Sequence, residues 1–492
     1  MRRFAWRLGA RRGAVVHFED LEHASVPATS TKTRALSSKL SHGKPRSRQR
    51  TRDGFPWNFG PSKFPVKLDV PGGVPIHLYT DDIDDNTKQQ LINLSSSGIA
   101  VGFLAAMPDV HLGKGATIGS VFASRDYVCP NAVGVDIGCG MCAVPVAGLL
   151  RRDLSEKQLL QIQKGLRSSI PTGFESHGRS TSSMEAAMKK LISKHSPTKW
   201  VRDTLSSRHT KQLGTLGGGN HFVELVYDEE DRVWMMLHSG SRNIGNVTAQ
   251  HYDELAAKQC GGSRESLAYL RIESEQGQQY LRDMTFCQAY AWENRHFMIE
   301  AFAEVIKRQT RRDAVWEKMV NIHHNYCECE DCRYYNTKEE QWMEEKLWVT
   351  RKGATSAKAG QMGIIPGSMG TGSYIVRGKG DSESWQSCSH GAGRSMSRAA
   401  AFRNIDPKSF AGHMQKRGIV WDVQFADKVR DEAPMAYKDR LSTPGLANAT
   451  SNLEAPKHPS TEAQDLNTVM ENQQNLVEVV HHLQPLINMK GW

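Results

Sequence analysis

The stretch "RVWMMLHSGSRNIG", residues 232–245, contains an apolar run that stops at a histidine beside glycine and serine. Short apolar runs bounded by turn residues are typical of β-strands. A second stretch, "QMGIIPGSMGTGSYIVRGKG" at residues 361–380, repeats the pattern of apolar segments broken by glycine. We therefore expect short strands whose ends carry the chemically active side chains, because functional residues concentrate where a scaffold element meets a loop.

Helical patterns flank these strand candidates. The segment "DLSEKQLLQIQKGLRSSI", residues 153–170, has a capping serine at Ser155 and apolar residues three to four positions apart. The segment "CQAYAWENRHFMIEAFAEVIKRQTRRD", residues 287–313, predicts a long amphipathic helix. Both helices are interpreted as scaffold. Strands and helices together predict an α+β fold in which β-sheets are flanked by helices.

The composition is that of a globular protein in water. The chain has 492 residues, of which 39% are hydrophobic and 24% charged, and no run of eighteen apolar residues predicts a membrane span. Its length could hold several average domains or one large one. We expect one catalytic domain over residues 61–492.

The net charge of +10 is concentrated at the N-terminus. Residues 1–60 hold 13 Lys and Arg but only 4 Asp and Glu, so the rest of the chain is nearly neutral. This segment is predicted to be a disordered basic leader, which either directs import into an organelle of the mitochondrial type or contacts RNA phosphates. Three acidic residues near position 20 depart from an import pattern, so both a cytoplasmic and an organellar location stay open.

Two further features concern loops and thiols. Residues 440–460, "RLSTPGLANATSNLEAPKHPS", are predicted to form a long exposed loop. Nine cysteines at irregular spacings, without a secretory signal, predict reduced thiols rather than a disulfide framework.

Five segments share one pattern, in which an apolar run stops and His, Cys or Asp appears beside small residues. They are "VGVDIGCGM" (133–141), "LGGGNHFVEL" (216–225), "LHSGSRNIG" (237–245), "HHNYCECE" (323–330) and "SCSHGAGR" (387–394). Each is a weak signal alone, because a single histidine after a strand is more often structural than a ligand. Together they favour one shared site.

The first four of these segments predict metal ligation. Asp136 and Cys139 are three residues apart on a glycine loop, so both side chains can turn toward one ion. His221, His238 and His324 can supply nitrogen ligands. A thiolate with a carboxylate and imidazoles suits Mn²⁺, Zn²⁺, Fe²⁺ or Co²⁺ better than Mg²⁺.

The glycine-rich segments also predict phosphate binding. "LGTLGGGNHF" (213–222) and "SMGTGS" (368–373) expose backbone N–H groups as anion-binding loops do, but neither matches the P-loop or the dinucleotide-binding pattern. Asn220, Arg242 and Arg394 are candidate phosphate contacts, since arginine matches phosphate oxygens bidentately.

His390 has three candidate roles, as a metal ligand, a general base or a nucleophile toward phosphorus. Its small neighbours leave room for a phosphoryl group and Arg394 could neutralise that group, which favours the nucleophile. The competing interpretation is a structural histidine in a tight turn.

The segment "HHNYCECEDC", residues 323–332, has a competing interpretation as a structural zinc site. Its cysteine spacing fits no standard zinc finger, so His324 is favoured as the active-site ligand. Cys327, Cys329 and Cys332 are interpreted as local thiols in a surface insert.

These motifs resemble the RtcB family of GTP-dependent RNA ligases. The resemblance extends from "MPDVHLGKGATIGS" at residue 107 to the terminal "LINMKGW". Between them it rests on seven motifs in the family's order, namely "VGVDIGCGM", "GGGNHFVE", "HSGSRNIG", "TRKGATSA", "IPGSMGTGSYIVRG", "SHGAGR" and "DEAPMAYKD". It implies an RtcB-like catalytic domain around a dinuclear metal cleft.

The resemblance also implies roles for individual residues. Two Mn²⁺ ions would be held by Asp136, Cys139, His221, His238 and His324, with Cys139 bridging, and His390 would be the nucleophile that becomes guanylylated. The implied GTP contacts are Asn220, Phe222, Glu224, Ser368, Ala392, Arg394, Tyr437 and Lys490. The implied candidates for RNA contact are Arg242, Arg351 and Lys352.

The resemblance implies ligation of RNA ends that carry a 3'-phosphate or a 2',3'-cyclic phosphate to ends that carry a 5'-hydroxyl. The substrates would be tRNA halves or broken RNA, with an archease-like activator as a candidate partner and a monomeric catalytic unit. Cys142 and Arg440 depart from the commoner family pattern. These two departures bear on what the resemblance implies about RNA selection and about the surface that would meet a partner. Two other functions stay open, a metal-dependent RNA phosphatase or cyclic phosphodiesterase, and a non-catalytic RNA-binding protein that uses its basic leader.

Overall fold

The structure, a computed structural model, describes residues 63–262, 267–337, 339–437 and 466–491. The basic leader at residues 1–60 and the exposed loop at 440–460 lie outside these residues, so both stay predictions. All described residues belong to one compact unit, Trp57–Trp492.

The described residues form eighteen β-strands. In chain order they are β1 (Val66–Leu68), β2 (Ile76–Leu78), β3 (Val101–His111), β4 (Ile118–Ser124), β5 (Tyr127–Val128), β6 (Gly140–Leu150), β7 (Phe222–Tyr227), β8 (Arg232–Ser239), β9 (Leu270–Arg271), β10 (Val320–His323), β11 (Asn325–Asn336), β12 (Gln341–Lys352), β13 (Ala354–Ser356), β14 (Met362–Ile365), β15 (Ser373–Gly378), β16 (Ser387–Ser389), β17 (Val420–Trp421) and β18 (Val477–Lys490).

Twelve α-helices are found in the same residues. They are α1 (Asp85–Ser95), α2 (Pro130–Val133), α3 (Glu156–Ser169), α4 (Ser182–His195), α5 (Lys199–Thr204), α6 (Ser207–Lys211), α7 (Arg242–Cys260), α8 (Glu275–Thr310), α9 (Arg398–Asn404), α10 (Pro407–Lys416), α11 (Ala426–Val429) and α12 (Leu466–Asn472). Within the described ranges, no helix has both the length and the apolar character needed to cross a membrane.

Two large sheets organise the chain. One has the strand order β1-β2-β3-β4-β12-β11, and the other has the order β10-β6-β8-β7-β18-β15-β14, with β17 added beside β18. Most pairs are antiparallel, whereas β2 pairs with β3 and β17 with β18 in parallel. The predicted α+β fold is confirmed.

The apolar run of β8 is continuous because both faces of its sheet are buried. Val233, Met235 and Leu237 pack with apolar residues of α3 and α8, while Trp234 and Met236 pack against a separate cluster that includes side chains of β14 and β15. A strand covered on both faces shows no polar alternation. The predicted strand is present as β8, and the polar residues after it lead directly into α7.

The two predicted helices are present, with different outcomes at their ends. Ser155 caps α3 as predicted, and its hydroxyl accepts a hydrogen bond from the Gln158 backbone N–H. The long helix α8 begins at Glu275 rather than at Cys287, after a second serine cap at Ser274. The first turns of α8, "EQGQQ", are polar, and apolar residues recur at helical spacing only further along the helix. The sequence pattern therefore did not predict the N-terminal part of this helix.

The interpretation of the cysteine cluster as a surface insert is wrong. Cys327 and Cys332 lie on β11, the strand that pairs with β12 at the edge of the first sheet, and both are buried, while Cys329 is exposed. Among the residues that the structure describes, the groups of side chains close enough to share a metal include none of these cysteines. The closely spaced cysteines resembled a metal-binding motif in the sequence, but they are residues of a β-strand.

Candidate active site

The predicted metal ligands meet where neighbouring strands of the second sheet begin or end. Asp136 and Cys139 occupy the turn before β6, and His221 immediately precedes β7. His238 lies near the end of β8, opposite the first residue of β7 and the second residue of β6. His324 falls between β10 and β11. The pairing of β10, β6, β8 and β7 thus brings together five side chains that are distant in sequence.

The ligand atoms are within contact of one another. The Cys139 Sγ lies 3.4 Å from Nε2 of His221 and 3.2 Å from Nε2 of His238. Asp136 Oδ2 lies 3.0 Å from Nε2 of His221, and the Nε2 atoms of His238 and His324 are 3.2 Å apart. These contacts define two candidate sites that share Cys139, one with Asp136 and His221 and the other with His238 and His324.

Backbone carbonyls set the orientation of two of the imidazoles. Nδ1 of His221 donates to the Leu216 carbonyl at 2.9 Å, and Nδ1 of His238 donates to the Asn220 carbonyl at 3.2 Å. Each Nε2 therefore keeps its lone pair and directs it at the sulfur of Cys139. Such outer hydrogen bonds are a regular feature of metal-binding histidines. The donor set fits two cations with a bridging sulfur.

Burial keeps the imidazoles of His238 and His324 neutral. It lowers the pKa of His238 and of His324 well below the usual range, and the neighbouring histidines add to this effect. For Asp136, burial alone would raise the pKa, but its contact with His221 and the nearby charge of Arg242 lower it to about 2. A carboxylate and neutral imidazoles are the protonation states in which these groups bind metals.

A buried arginine on α8 supports the turn that carries these ligands. Arg295 is fully buried, and its Nη1 donates to the Gly138 carbonyl at 2.8 Å and to the Ser239 carbonyl at 3.0 Å. It ties the metal-binding turn to the end of β8. Sequence reasoning assigned α8 to scaffold, because a charged residue on an amphipathic helix is usually exposed.

His390 follows β16 and is oriented by Asp109 of β3. Its Nδ1 lies 2.7 Å from Asp109 Oδ2, and the backbone N–H groups of His390 and Gly391 each donate to the same oxygen at 3.1 Å. The His390 ring lies 5.0 Å from that of His324, centroid to centroid. Gly353 passes so close that an added Cβ would lie 3.0 Å from the His390 ring.

Asp109 was missed as a functional residue. It lies within "MPDVH", where an apolar strand stops at polar residues, so the pattern of the five segments could have identified it. Because Nδ1–H of His390 donates to a carboxylate, Nε2 is left with a free lone pair. That arrangement suits a nucleophile or a base.

All eight predicted GTP contacts line one cleft, which also contains His390 and His238. The cleft is open to solvent, and the space within it measures about 860 Å³. The eight residues are Asn220, Phe222, Glu224, Ser368, Ala392, Arg394, Tyr437 and Lys490. Residues from β7, from β18, from the loop before β15 and from the loop after β16 therefore converge on the candidate nucleophile.

A buried carboxylate, Glu432, connects the basic groups of this cleft. Its Oε2 accepts from Lys490 Nζ at 3.0 Å and from the Tyr437 hydroxyl, and its Oε1 contacts Arg394 at 3.1 Å and Arg398 at 2.5 Å. Burial alone would raise its pKa, but the charges of Lys490, Arg398 and Arg394 lower it to about 2. Glu432 and Arg398 were not singled out from the sequence.

Two further residues define the cleft near β18. Lys490, two residues from the end of the sequence, is 4% exposed because β18 pairs with β7 and its Nζ also donates to the Asn220 carbonyl at 3.1 Å. Burial raises the pKa of Glu224 to about 8, although Asn488 donates a hydrogen bond to its carboxyl group. The cleft therefore holds a buried acid whose ionisation a ligand could change.

The three candidates for RNA contact are not placed alike. Arg351 has no exposed surface, and it pairs with buried Glu330. Lys352 donates to the carbonyls of Lys114, Ala116 and Asn131 in the interior. Their location on the buried end of β12 does not support the predicted RNA contacts.

Arg242, the third candidate, lines a second cleft with Asp136 and His221. Its guanidinium also donates to Thr215 Oγ1 at 3.0 Å and to the Gly173 carbonyl at 2.6 Å. It is therefore held in place in the same cleft as the candidate metal ligands Asp136 and His221.

Comparison with known proteins identifies the family. The model of the tRNA-splicing ligase RtcB family matches residues 90–442. The chain is 36% identical to the RNA-splicing ligase RtcB of Escherichia coli, over 85% of this chain and 97% of that protein. It is 30% identical to the tRNA-splicing ligase RtcB of Methanococcus maripaludis, over 75% and 89%, and 31% identical to that of Thermococcus kodakarensis, over 76% and 90%. The chain therefore belongs to the RtcB family of RNA-splicing ligases.

Proposed function

We propose that this RNA ligase joins RNA 3'-phosphate or 2',3'-cyclic phosphate ends to 5'-hydroxyl ends, and that it uses GTP through a covalent GMP bound to His390. One observation carries the proposal. His390, oriented by Asp109, lies in the same cleft as the eight predicted GTP contacts and beside the candidate metal ligand His324.

The proposed reaction has three phosphoryl transfers. Nε2 of His390 attacks the α-phosphorus of GTP, a P–N bond forms and pyrophosphate leaves. An oxygen of the RNA 3'-phosphate then attacks the same phosphorus, and the P–N bond breaks. Finally the 5'-hydroxyl attacks the activated 3'-phosphate, loses its proton and displaces GMP. A cyclic phosphate would first be opened by water to give the 3'-phosphate.

The residues of the cleft have distinct tasks in this scheme. Asp109 keeps the proton on Nδ1 of His390, so that Nε2 is the nucleophile. Arg394 supplies positive charge for the phosphates, and the Glu432 carboxylate holds both Arg394 and Lys490 in the cleft. Glu224 can accept hydrogen bonds from the N1–H and exocyclic amine of guanine once it is ionised.

The cluster around Cys139 is proposed to hold two Mn²⁺ ions. Its five ligands combine one sulfur, three imidazoles and one carboxylate, a set that suits Mn²⁺ and similar transition-metal ions. When bound, such ions neutralise charge that develops on phosphate oxygens and on a leaving pyrophosphate.

The decisive experiment incubates the full-length protein with α-³²P-labelled GTP and Mn²⁺. We expect an acid-labile protein–GMP bond in the wild type that is absent from His390→Ala. His195→Ala, which changes a histidine at the end of α4 outside the cleft, is the matched control and should be labelled normally.

The alternative, a metal-dependent phosphatase or cyclic phosphodiesterase, predicts a different result. It needs the metal ligands but neither a covalent GMP nor GTP. A wild-type protein that removes or opens terminal phosphates without forming protein–GMP would favour that activity and reject the ligase mechanism. The use of tRNA halves or broken RNA, an archease-like activator and a monomeric catalytic unit stay predictions from the resemblance.

A further inference from the structure

A second cleft reaches the metal ligands without sharing any lining residue with the nucleotide cleft. Asp136 and His221 contribute to its wall, whereas His238 and His390 belong to the nucleotide cleft. The candidate metal cluster is thus bordered by two separate openings. If one holds GTP, the other is available to a different substrate.

Phe174 is the most exposed large apolar side chain among the described residues, with 90% of its surface in water. It lines this second cleft. A single exposed apolar residue has no meaning by itself. Its place beside two candidate metal ligands makes its exposure relevant to function.

The backbone around Phe174 is fixed although its ring is exposed. The N–H of Gly173 donates to the Gly217 carbonyl at 3.0 Å, and the Gly173 carbonyl accepts from Arg242 at 2.6 Å. Gly173 has φ of +61°, in the left-handed region that favours glycine, and the next turn is closed by a bond from Glu175 N–H to the Thr172 carbonyl. The loop therefore presents the phenyl ring from a held position.

The other groups that line the cleft complement a nucleotide. The guanidinium groups of Arg208 and Arg242 are suited to phosphate, and the amides of Asn243 and Asn246 can donate or accept hydrogen bonds. An exposed aromatic ring next to such groups is the usual platform for an unpaired base. Stacking discriminates little between bases, which suits an enzyme that acts on many RNA ends.

We infer that Phe174 stacks on the nucleobase of the RNA nucleotide at the reacting end, and so positions that end beside Asp136 and His221. The inference rests on the proposed RNA ligation, because it takes RNA as the ligand. Phe174 is a positioning residue in this scheme, since its ring has no group that could take part in bond making.

The test uses RNA oligonucleotides with 2-aminopurine at the terminal nucleotide, one labelled at the 3'-phosphate end and one at the 5'-hydroxyl end. The fluorescence of this base falls when it stacks on an aromatic ring. We expect the full-length wild-type protein to quench at least one of the two probes. Phe174→Ala should lose that quenching and bind the same RNA about tenfold more weakly, as expected for loss of one base–aromatic stack.

Two variants provide the controls. Phe174→Trp keeps an aromatic face and should retain both quenching and affinity. Trp342→Ala removes an exposed aromatic residue near the start of β12, outside both clefts, and should behave as the wild type. All variants should form protein–GMP at the wild-type rate, because Phe174 is not part of the nucleotide cleft.

The outcomes separate this inference from the proposed function. If neither probe depends on Phe174, or if Phe174→Ala also loses protein–GMP formation, the inference is wrong even when the wild type ligates RNA. If the wild type binds and quenches RNA through Phe174 but forms no protein–GMP, the stacking site stands and the guanylylation mechanism is rejected.

Discussion

Nδ1 of His390 and Oδ2 of Asp109 lie 2.7 Å apart, and the same oxygen also accepts the backbone N–H groups of His390 and Gly391. One buried carboxylate therefore fixes the ring, its tautomer and the loop that carries it. The two residues are 281 positions apart in sequence, so the contact depends on the packing of β16 against β3.

Asp109→Asn should slow protein–GMP formation while the protein stays folded. The amide has nearly the same size, but it removes the charge and one acceptor that hold the proton on Nδ1. Loss of an orienting carboxylate behind a catalytic histidine costs about 10²–10⁴-fold in rate. The measurement is the single-turnover rate of labelling with α-³²P-GTP.

Asp228→Asn provides the control for that prediction. Asp228 is another buried aspartate, held by Arg232 and by the Trp234 indole N–H, outside both clefts. Its substitution should affect thermal stability but leave the labelling rate near the wild-type value. Equal labelling by Asp109→Asn and the wild type would show that Asp109 is only structural.

Cys139→Ala should lose metal and protein–GMP formation together. Cys139 is shared by both candidate ligand groups, so its removal takes one donor from each site. We expect metal content, measured by mass spectrometry on the purified protein, to fall by more than half of the wild-type value.

Cys142→Ala is the matched control, because Cys142 is a buried cysteine three residues further along, on β6, that belongs to neither ligand group. It should retain both metal and labelling. Full metal content in Cys139→Ala would reject the bridging assignment and leave the two sites independent of the sulfur.

Glu432→Gln should weaken GTP binding more than it slows the chemical step. The substitution keeps the shape but removes the charge that holds Lys490, Arg394 and Arg398, and unpaired buried cations repel one another. We expect KM for GTP to rise about tenfold or more, with a smaller change in the labelling rate at saturating GTP.

Asp431→Asn tests whether that effect is specific. Asp431 is the neighbouring acid and its carboxylate contacts Arg398, but it does not line the nucleotide cleft. The substitution should leave KM within about twofold of the wild type. An equal rise in KM for both variants would mean that Glu432 affects GTP binding only through the net charge of this region, and not through its particular contacts.

The residue types of the candidate site could be predicted from the sequence, but most of their hydrogen-bond and ion-pair partners could not. Cys139 and the three candidate histidine ligands stand out because their chemistry suits metals and because an apolar run or glycines lead up to each of them. Asp109 and Glu432 act through partners far away in sequence, which only strand pairing and packing bring close. The burial of Arg351 could not be predicted for the reverse reason. A charged motif in a sequence suggests an exposed surface. Only the structure shows that this end of β12 is buried and that the Arg351 guanidinium forms an ion pair with Glu330.

Glu224 should contribute stability to the folded protein that is lost as the pH rises. Burial raises the pKa of Glu224 to about 8, against an ordinary value of 4.5. Between these two pH values the folded protein keeps a proton that the unfolded chain releases. The stabilisation is therefore complete below pH 4.5 and is lost as the pH rises to about 8.

Glu224→Gln removes this titration, so its free energy of unfolding should depend less steeply on pH than that of the wild type. Relative to the wild type, the variant should gain roughly 3–5 kcal/mol between about pH 5 and about pH 8, since one pKa unit corresponds to about 1.4 kcal/mol. Urea denaturation at several pH values measures the difference, with Glu478→Gln, an exposed glutamate on the same strand as Lys490, as the control. Parallel pH curves for Glu224→Gln and the wild type would mean that Glu224 is already ionised in the folded protein, ready to accept hydrogen bonds without first losing a proton.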